Sequence, residues 1–250
     1  MKGNNEMKND KFVKVPNSWY MMDKTGTSFM DKIGECRFTL WFYLQKTSVE
    51  MNMSDVIPIQ IKQLSQELND LNGFKKSSYI RKFLIQLKKS GLIECDTLTD
   101  KTKPTDLIYI KVSTRKHTED CKSGFSMINV NIFNDKIKKL NCYGFYIYCF
   151  LFKHHNTTLG NQKSSNIGTG YAEANREFIG NVLGIKSVKT ISKYTEKIAN
   201  AKGLIKILPQ EFFEETNEFG ETVKKWHSNR YIVYPKFDKE NKYHIHNINK

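Results

Sequence analysis

The sequence predicts an α+β chain, mostly helical, that folds as two tandem copies of one module. Three observations predict it. Between Leu71 and Ile93 there is no acidic residue but there are six basic ones, in a stretch whose apolar residues recur at helical spacing. A matching stretch lies about 111 residues further on: Tyr79-Ile80-Arg81-Lys82-Phe83 lines up with Thr190-Ile191-Ser192-Lys193-Tyr194, and both stretches run into Gly-Leu-Ile, at Gly91-Leu92-Ile93 and Gly203-Leu204-Ile205. Around each copy the chain also reads in one order, with helical segments before the basic stretch and a pair of short strands after it.

The first module is expected over residues 12–115, after a polar and disordered tail at 1–11. Phe12 to Pro16 reads as a short extended lead. A helix from about Asp31 to Lys46 carries Ile33, Phe38, Leu40, Trp41 and Leu44, a polar loop ends at Pro58, and a second helix contains Ile61, Leu64 and Leu68. The basic helix is third. Ile80, Phe83, Leu84 and Leu87 form its apolar stripe, while Ser78, Arg81, Lys82 and Lys89 lie away from it. Gly91 suits a left-handed helix cap. Strands Leu92 to Leu98 and Leu107 to Val112 close the module across the polar turn Thr99 to Pro104. Residues 116–124 read as a linker.

The second module is expected over residues 125–235, before a tail at 236–250. It repeats the order with longer insertions. Phe125 to Val130 reads as extended, an aromatic helix surrounds Cys142 to Phe152, Thr157 to Gly170 is a Gly/Ser/Asn-rich loop, and a helix follows near Arg176 to Leu183. In the basic helix, Lys186, Lys189, Lys193 and Lys197 fall within roughly 80° of one face at about 100° per residue, with Val188, Ile191, Thr195 and Ile198 opposite. Leu204 to Leu208 and Tyr231 to Tyr234 are expected to pair as a hairpin with its tip near Asn217 to Gly220. Three helices followed by a hairpin make the winged-helix order, with the basic third helix as the recognition helix of a DNA-binding domain.

At 250 residues the chain is long enough for two domains, each with its own core. A formal charge of +14 and a pI near 9.4 favour a polyanionic partner. Lys, Asn and Ile are abundant throughout, so the local clusters say more than the total. Residues 1–120 carry 20 basic and 15 acidic side chains (+5) and residues 121–250 carry 20 and 11 (+9), so neither half is a charged tail. The five cysteines form no Cys-x-x-Cys pair and follow no secretory signal, which reads as reduced thiols in a cytoplasmic protein. The longest apolar run, Cys142 to Phe152, spans eleven residues where a membrane helix needs about 20.

The expected DNA contacts follow from charge and position. In the first module they are Lys75, Lys76, Ser77, Ser78, Tyr79, Arg81 and Lys82 on the helix, with Lys101 and Lys103 in the wing. In the second they are Lys186, Ser187, Lys189, Thr190, Ser192 and Lys193 on the helix, with Lys224, Lys225, His227 and Arg230 on the returning arm of the wing. Polar residues at the helix start would read base edges, and Lys and Arg would hold phosphates. The outgoing arm opposes this role, since Glu211, Glu214, Glu215, Glu218 and Glu221 gather five carboxylates there.

Three other patterns are weaker. Cys142, Cys149, His154 and His155 are zinc-type ligands, but Cys-x6-Cys-x4-His-His lacks the close pairs of common zinc modules, and the residues between are aromatic or apolar. Gly180 to Ser187 resembles a phosphate-binding loop one residue short, and a turn between two helices explains its glycines. His244-Ile245-His246 matches the paired histidines of metal-dependent nickases but lies in the expected tail. No catalytic constellation appears elsewhere, so the expectation is a protein without enzymatic activity, cofactor or metal.

Phe12-x-Lys14-Val15-Pro16, the apolar first helix and the basic helix ending at Gly91 resemble the N-terminal winged helix of RepA-N plasmid replication initiators and of phage replisome organisers. Arg176-x-Phe178-Ile179-Gly180, Leu183-Gly184-Ile185-Lys186-Ser187 and Lys189-Thr190-Ile191-Ser192-Lys193 are similar to the same class. The resemblance covers residues 12–115 and 125–235 and implies binding to double-stranded origin DNA, self-association as a homodimer through the first module, and contacts with replication proteins. The usual C-terminal partner-binding domain of that family has no counterpart in these residues, and the long acidic wing departs from its pattern. A winged-helix transcriptional regulator of a mobile element has the same build, and an interaction adaptor in a DNA-processing complex is the third reading.

Overall fold

In a computed structural model, the structure describes residues 11–51, 55–161, 172–201, 204–216, 218, 220–226, 228–234, 236–237 and 243–244. The expected disordered tail, apart from Lys11, lies outside the described residues, as do most of the Gly/Ser/Asn-rich loop, His227 and most of the C-terminal tail.

In chain order the elements are β1 (Phe12–Pro16), α1 (Phe29–Ile33), α2 (Glu35–Glu50), β2 (Val56–Gln60), α3 (Ile61–Glu67), α4 (Ser77–Lys89), β3 (Leu107–Lys111), α5 (Arg115–Asp120), β4 (Phe125–Asn129) and α6 (Val130–Asn161). They continue with β5 (Ala172–Glu173), α7 (Arg176–Leu183), α8 (Val188–Asn200), β6 (Ile205–Ile207), β7 (Phe212–Thr216), β8 (Thr222–Trp226), β9 (Arg230–Val233), β10 (Lys236–Phe237) and β11 (Tyr243–His244). The fold is α+β, with small sheets beside the helices.

The chain divides into two compact units. Unit 1 holds the chain up to Ser18 and Cys36–Cys142, and unit 2 holds Trp19–Glu35 and the chain from Tyr143 on. The stretch read as a linker, 116–124, is instead α5 followed by a 3₁₀ turn at Cys121–Ser123, inside unit 1. Its polar composition misled: Thr114 accepts from the His117 amide at 3.1 Å as a helix cap, and Arg115–Glu119 and Lys116–Asp120 form i,i+4 ion pairs. The turn leads into β4, which pairs along its whole length with β1, from Phe12 opposite Asn129 to Pro16 opposite Phe125.

Unit 1 is built around α2. Phe38, Leu40, Trp41, Phe42 and Leu44 are all buried, and Thr39, Gln45, Lys46 and Ser48 are buried with them, so no side of this helix is freely exposed. β2 and β3 form an antiparallel ladder in which Ile57, Ile59, Ile108 and Ile110 face the core. The sequence reading missed β2, because Pro58 looked like the end of a loop. An edge strand tolerates proline, since one side of it needs no ladder donor, and among the described residues β2 pairs with β3 alone. The expected strand Leu92 to Leu98 shrinks to a single bridge, Glu94 opposite Lys111. The segment expected to form the wing of the first module is therefore a compact loop and not a long hairpin.

Unit 2 repeats the order around the second part of α6. Asn141, with a φ of 55°, interrupts that helix, and beyond it Phe145 to Phe152 are buried without exception. β5, β9 and β6 form a three-stranded antiparallel sheet with β9 in the middle. Asn175 caps α7 by accepting from the Phe178 amide at 2.7 Å, and Ser187 caps α8 by accepting from the Thr190 amide at 3.3 Å. α1 belongs to this unit, where the Ser28 hydroxyl donates to the Val182 carbonyl at the end of α7 and the Tyr146 hydroxyl donates to the Met30 carbonyl. Part of the expected tail is paired, since β10 and β11 form a two-residue antiparallel ladder.

Candidate nucleic-acid interface

Each unit presents one amphipathic basic helix. In α4, Ile80, Leu84 and Leu87 are buried and Phe83 is half-buried against Phe74, at a ring separation of 5.8 Å. The opposite side carries Ser78, Tyr79 and Lys82, all exposed, with Ser77 half-buried, and Lys75 and Lys76, also exposed, lead into the helix. Tyr79 is 48% exposed, with the Lys76 ammonium 6.0 Å from its ring centre, so an aromatic face and a cation sit together at the helix start.

Arg81 is engaged within the unit. Its guanidinium donates to the Thr102 carbonyl at 2.8 Å, and two turns further along α4 Lys88 donates to the Leu98 carbonyl at 3.2 Å. Both acceptors belong to the loop between Glu94 and Leu107, where Lys101 and Lys103 are exposed. The Thr102 hydroxyl accepts from the Thr99 amide at 2.8 Å and donates to the Thr97 carbonyl at 3.1 Å. The Asp106 carboxylate accepts from the Lys103 amide at 2.7 Å. The Pro104 carbonyl accepts the Lys62 amide at 2.8 Å, an otherwise orphan donor in the first turn of α3.

In α8, Ile191, Thr195 and Ile198 are buried, while Lys186, Ser187, Lys189, Lys193 and Lys197 are exposed and Thr190 and Ser192 are half-buried. Val188, expected on the packed face, is 44% exposed because it is the first residue of the helix. Ser187 serves as the cap, and the Ser192 hydroxyl donates back to the Val188 carbonyl at 3.1 Å. Tyr194 stacks on Tyr143 at 5.5 Å, with Lys193 and Lys197 at 5.8 and 5.9 Å from its ring.

The two glycines of the phosphate-loop-like stretch have structural reasons. A Cβ at Gly180 would lie 2.8 Å from the Ile185 carbonyl oxygen, so α7 approaches the turn too closely for a side chain. Gly184 ends α7 in the left-handed conformation, at φ 67°. Beside them a shallow cleft of about 310 Å³ is lined by Arg176, Lys186, Asn181, Asp31 and Glu177. Arg176 was absent from the expected contacts although it occupies an exposed first-turn position on α7; its position directly after the helix cap Asn175 was the available signal.

The segment after α8 in unit 2 differs. β7 pairs with β8 from Phe212 opposite Trp226 to Thr216 opposite Thr222, and every residue of β7 is exposed, Phe212 at 51%. Glu211, Glu214, Glu215, Glu218 and Glu221 are all exposed. Of the expected contacts on the returning arm, Lys224 is exposed and lies 4.7 Å over the Phe212 ring. Lys225 is described by its backbone alone, paired with Phe213. Arg230 is half-buried and holds the base of the ribbon, at 2.8 Å from the Glu211 carboxylate and 3.3 Å from the Pro209 carbonyl. Neither arginine among the expected contacts, Arg81 or Arg230, is therefore idle within the protein.

Cys142 and Cys149 are buried, burial pushes the Cys149 thiol well above its ordinary range, and burial holds His154 down at about 4. Among the described residues no group of three His, Cys, Asp or Glu is placed to hold a metal ion. His246 of the nickase-like pair lies outside the described residues, and no helix among the described residues is long and apolar enough to cross a membrane. In comparisons with known proteins, no family model, no curated protein and no solved structure matches the chain.

Proposed function

We propose that the chain is a sequence-specific, double-stranded DNA-binding protein of two winged helices, acting as a replication initiator or replisome organiser of a plasmid or phage. One observation carries the reading. In both units a buried helix is followed by a short strand, a second helix, an exposed basic helix and a wing whose returning strand pairs back to the short strand. In this mechanism each basic helix enters a major groove. Ser77, Ser78 and Tyr79 in α4, and Ser187, Thr190 and Ser192 in α8, lie nearest the base edges. Lys75, Lys76, Lys82, Lys186, Lys189 and Lys193 neutralise phosphates, and each neutralised phosphate adds about 0.9 to the slope of log affinity against log salt. Two linked modules on adjacent sites gain from effective concentration, which suits a protein that recognises repeated elements.

Binding-site selection on sheared source DNA, repeated over a salt series, tests this. Enrichment of a repeated element near an origin supports the initiator, and enrichment at promoters replaces it with a transcriptional regulator of the same build. Absence of any enriched sequence overturns sequence-specific recognition. Lys189→Glu with Lys193→Glu is expected to weaken DNA binding at least about tenfold and to flatten the salt slope.

A further inference from the structure

The clamped wing of unit 1 carries a prediction about Arg81 that charge and position alone reverse. Arg81 sits on the basic helix among residues that face outward, and by spacing it is a phosphate ligand. In the fold its guanidinium ends on a backbone carbonyl of the wing, 2.8 Å from the Thr102 oxygen, and Thr102 itself is only 6% exposed. Lys88 repeats the contact two turns on, at the Leu98 carbonyl. The wing is thus tied at two points to α4 and at a third, through Pro104, to the start of α3. Between these ties stand Lys101 and Lys103, both exposed. A loop of this length without such ties would sample many arrangements, and fixing its lysines on DNA would cost the ordering entropy at the moment of binding.

We propose that Arg81 is a positioning residue: it holds the wing against the recognition helix so that Lys101 and Lys103 meet the DNA backbone in a fixed register with α4. The proposal rests on the DNA-binding reading, and it assigns Arg81 no phosphate of its own.

The test uses the full chain in two measurements. Duplex binding is followed over a salt series for the wild type, Arg81→Met, the pair Lys101→Ala with Lys103→Ala, and the triple variant; Lys82→Ala serves as a direct-contact control. Arg81→Met keeps the aliphatic stem and removes the charge. Amide hydrogen exchange is followed at Thr99, Thr102 and Lys103 in the absence of DNA. Arg81→Met is expected to weaken binding about as much as the wing pair, to add little in the triple variant, and to speed exchange in the wing. Lys82→Ala adds its full loss to that of the wing pair. Thr102→Val, which changes no charge but removes the hydroxyl bonds that shape the loop, is expected to copy Arg81→Met. Additive losses, with unchanged wing exchange and a salt slope lower by about 0.9 for Arg81→Met alone, overturn the proposal and make Arg81 a phosphate ligand. Wild-type protein that binds no duplex defeats the DNA reading, and the exchange measurement still decides the clamp: faster wing exchange in Arg81→Met supports it and unchanged exchange overturns it.

Discussion

Ser65 and Gly180 stand at similar places in the two units, each one residue after a buried apolar residue of the second helix, Leu64 or Ile179, and three before a buried leucine at or just past its end, Leu68 or Leu183. In unit 1 the Ser65 hydroxyl donates to the Phe74 carbonyl at 3.3 Å. In unit 2 the matching carbonyl, Ile185, lies 2.8 Å from where a Cβ on Gly180 would be. Nine residues separate α3 from α4, and four separate α7 from α8. The longer turn leaves room for a side chain that bonds to the carbonyl, and the shorter one lets the backbone close on it. The two units thus show two local solutions, and the turn length decides which residue is allowed.

The largest effect is expected from exchanging these solutions. Gly180→Ser puts a Cβ against backbone that cannot swing aside, and unit 2 is expected to lose about 3 kcal/mol or more in denaturant unfolding. Ser65→Gly in unit 1 loses one hydrogen bond and adds backbone freedom within a helix, so about 1–2 kcal/mol is expected. Equal losses in the two units would break the comparison.

A pH effect of intermediate size separates the units next. His154 packs between Phe150, at 4.3 Å, and Phe178, at 5.5 Å, and burial, aided by the Lys153 charge, lowers it from 6.5 to about 4. The unfolded chain therefore binds this proton more readily than the folded one between those values. Stability is full above pH 6.5 and falls as pH drops toward 4, by up to about 3 kcal/mol. Thermal melts over that window should show the loss, and His154→Phe should flatten it. In unit 1 burial also lowers His117, against an opposing hydrogen bond to the Lys14 carbonyl at 3.0 Å.

The smallest effect belongs to the exposed β7–β8 ribbon of unit 2, and the Glu94–Leu107 loop of unit 1 is expected to differ from it. Glu214→Gln lies on an exposed ribbon and is expected to change stability by less than about 0.5 kcal/mol. Thr102→Val strikes a buried node of three residues' bonds and should cost about 1–3 kcal/mol. Matching denaturation curves for these two variants would show that the Glu94–Leu107 loop of unit 1 is no more tightly held than the β7–β8 ribbon of unit 2.

Much of the architecture was legible. The periodicity of Ile80, Leu84 and Leu87, and of Ile191, Thr195 and Ile198, places both basic helices within a residue or two of their observed spans. Arg176 to Leu183 matches α7 at both ends. The exposed lysines of the candidate interface were legible too, because a helix with one buried stripe has only one side left for charge. What failed has specific causes. Pro58 disguised β2, since nothing local says that a strand lies at an edge. The polar stretch 116–124 passed for a linker, because short helices held by caps and ion pairs have loop-like composition.

Sequence by itself determined the helices and their basic faces, because hydrophobic period and charge are local properties that every fold of the chain must respect. Only the tertiary structure decided that Phe12–Pro16 pairs with Phe125–Asn129, that Trp19–Glu35 is built into unit 2, and that Arg81 reaches the Thr102 carbonyl and Arg230 the Pro209 carbonyl. Each of these joins residues distant in the chain through backbone carbonyls or strand edges. Any residue supplies such a carbonyl, so no side-chain pattern announces which one a guanidinium or a strand will reach.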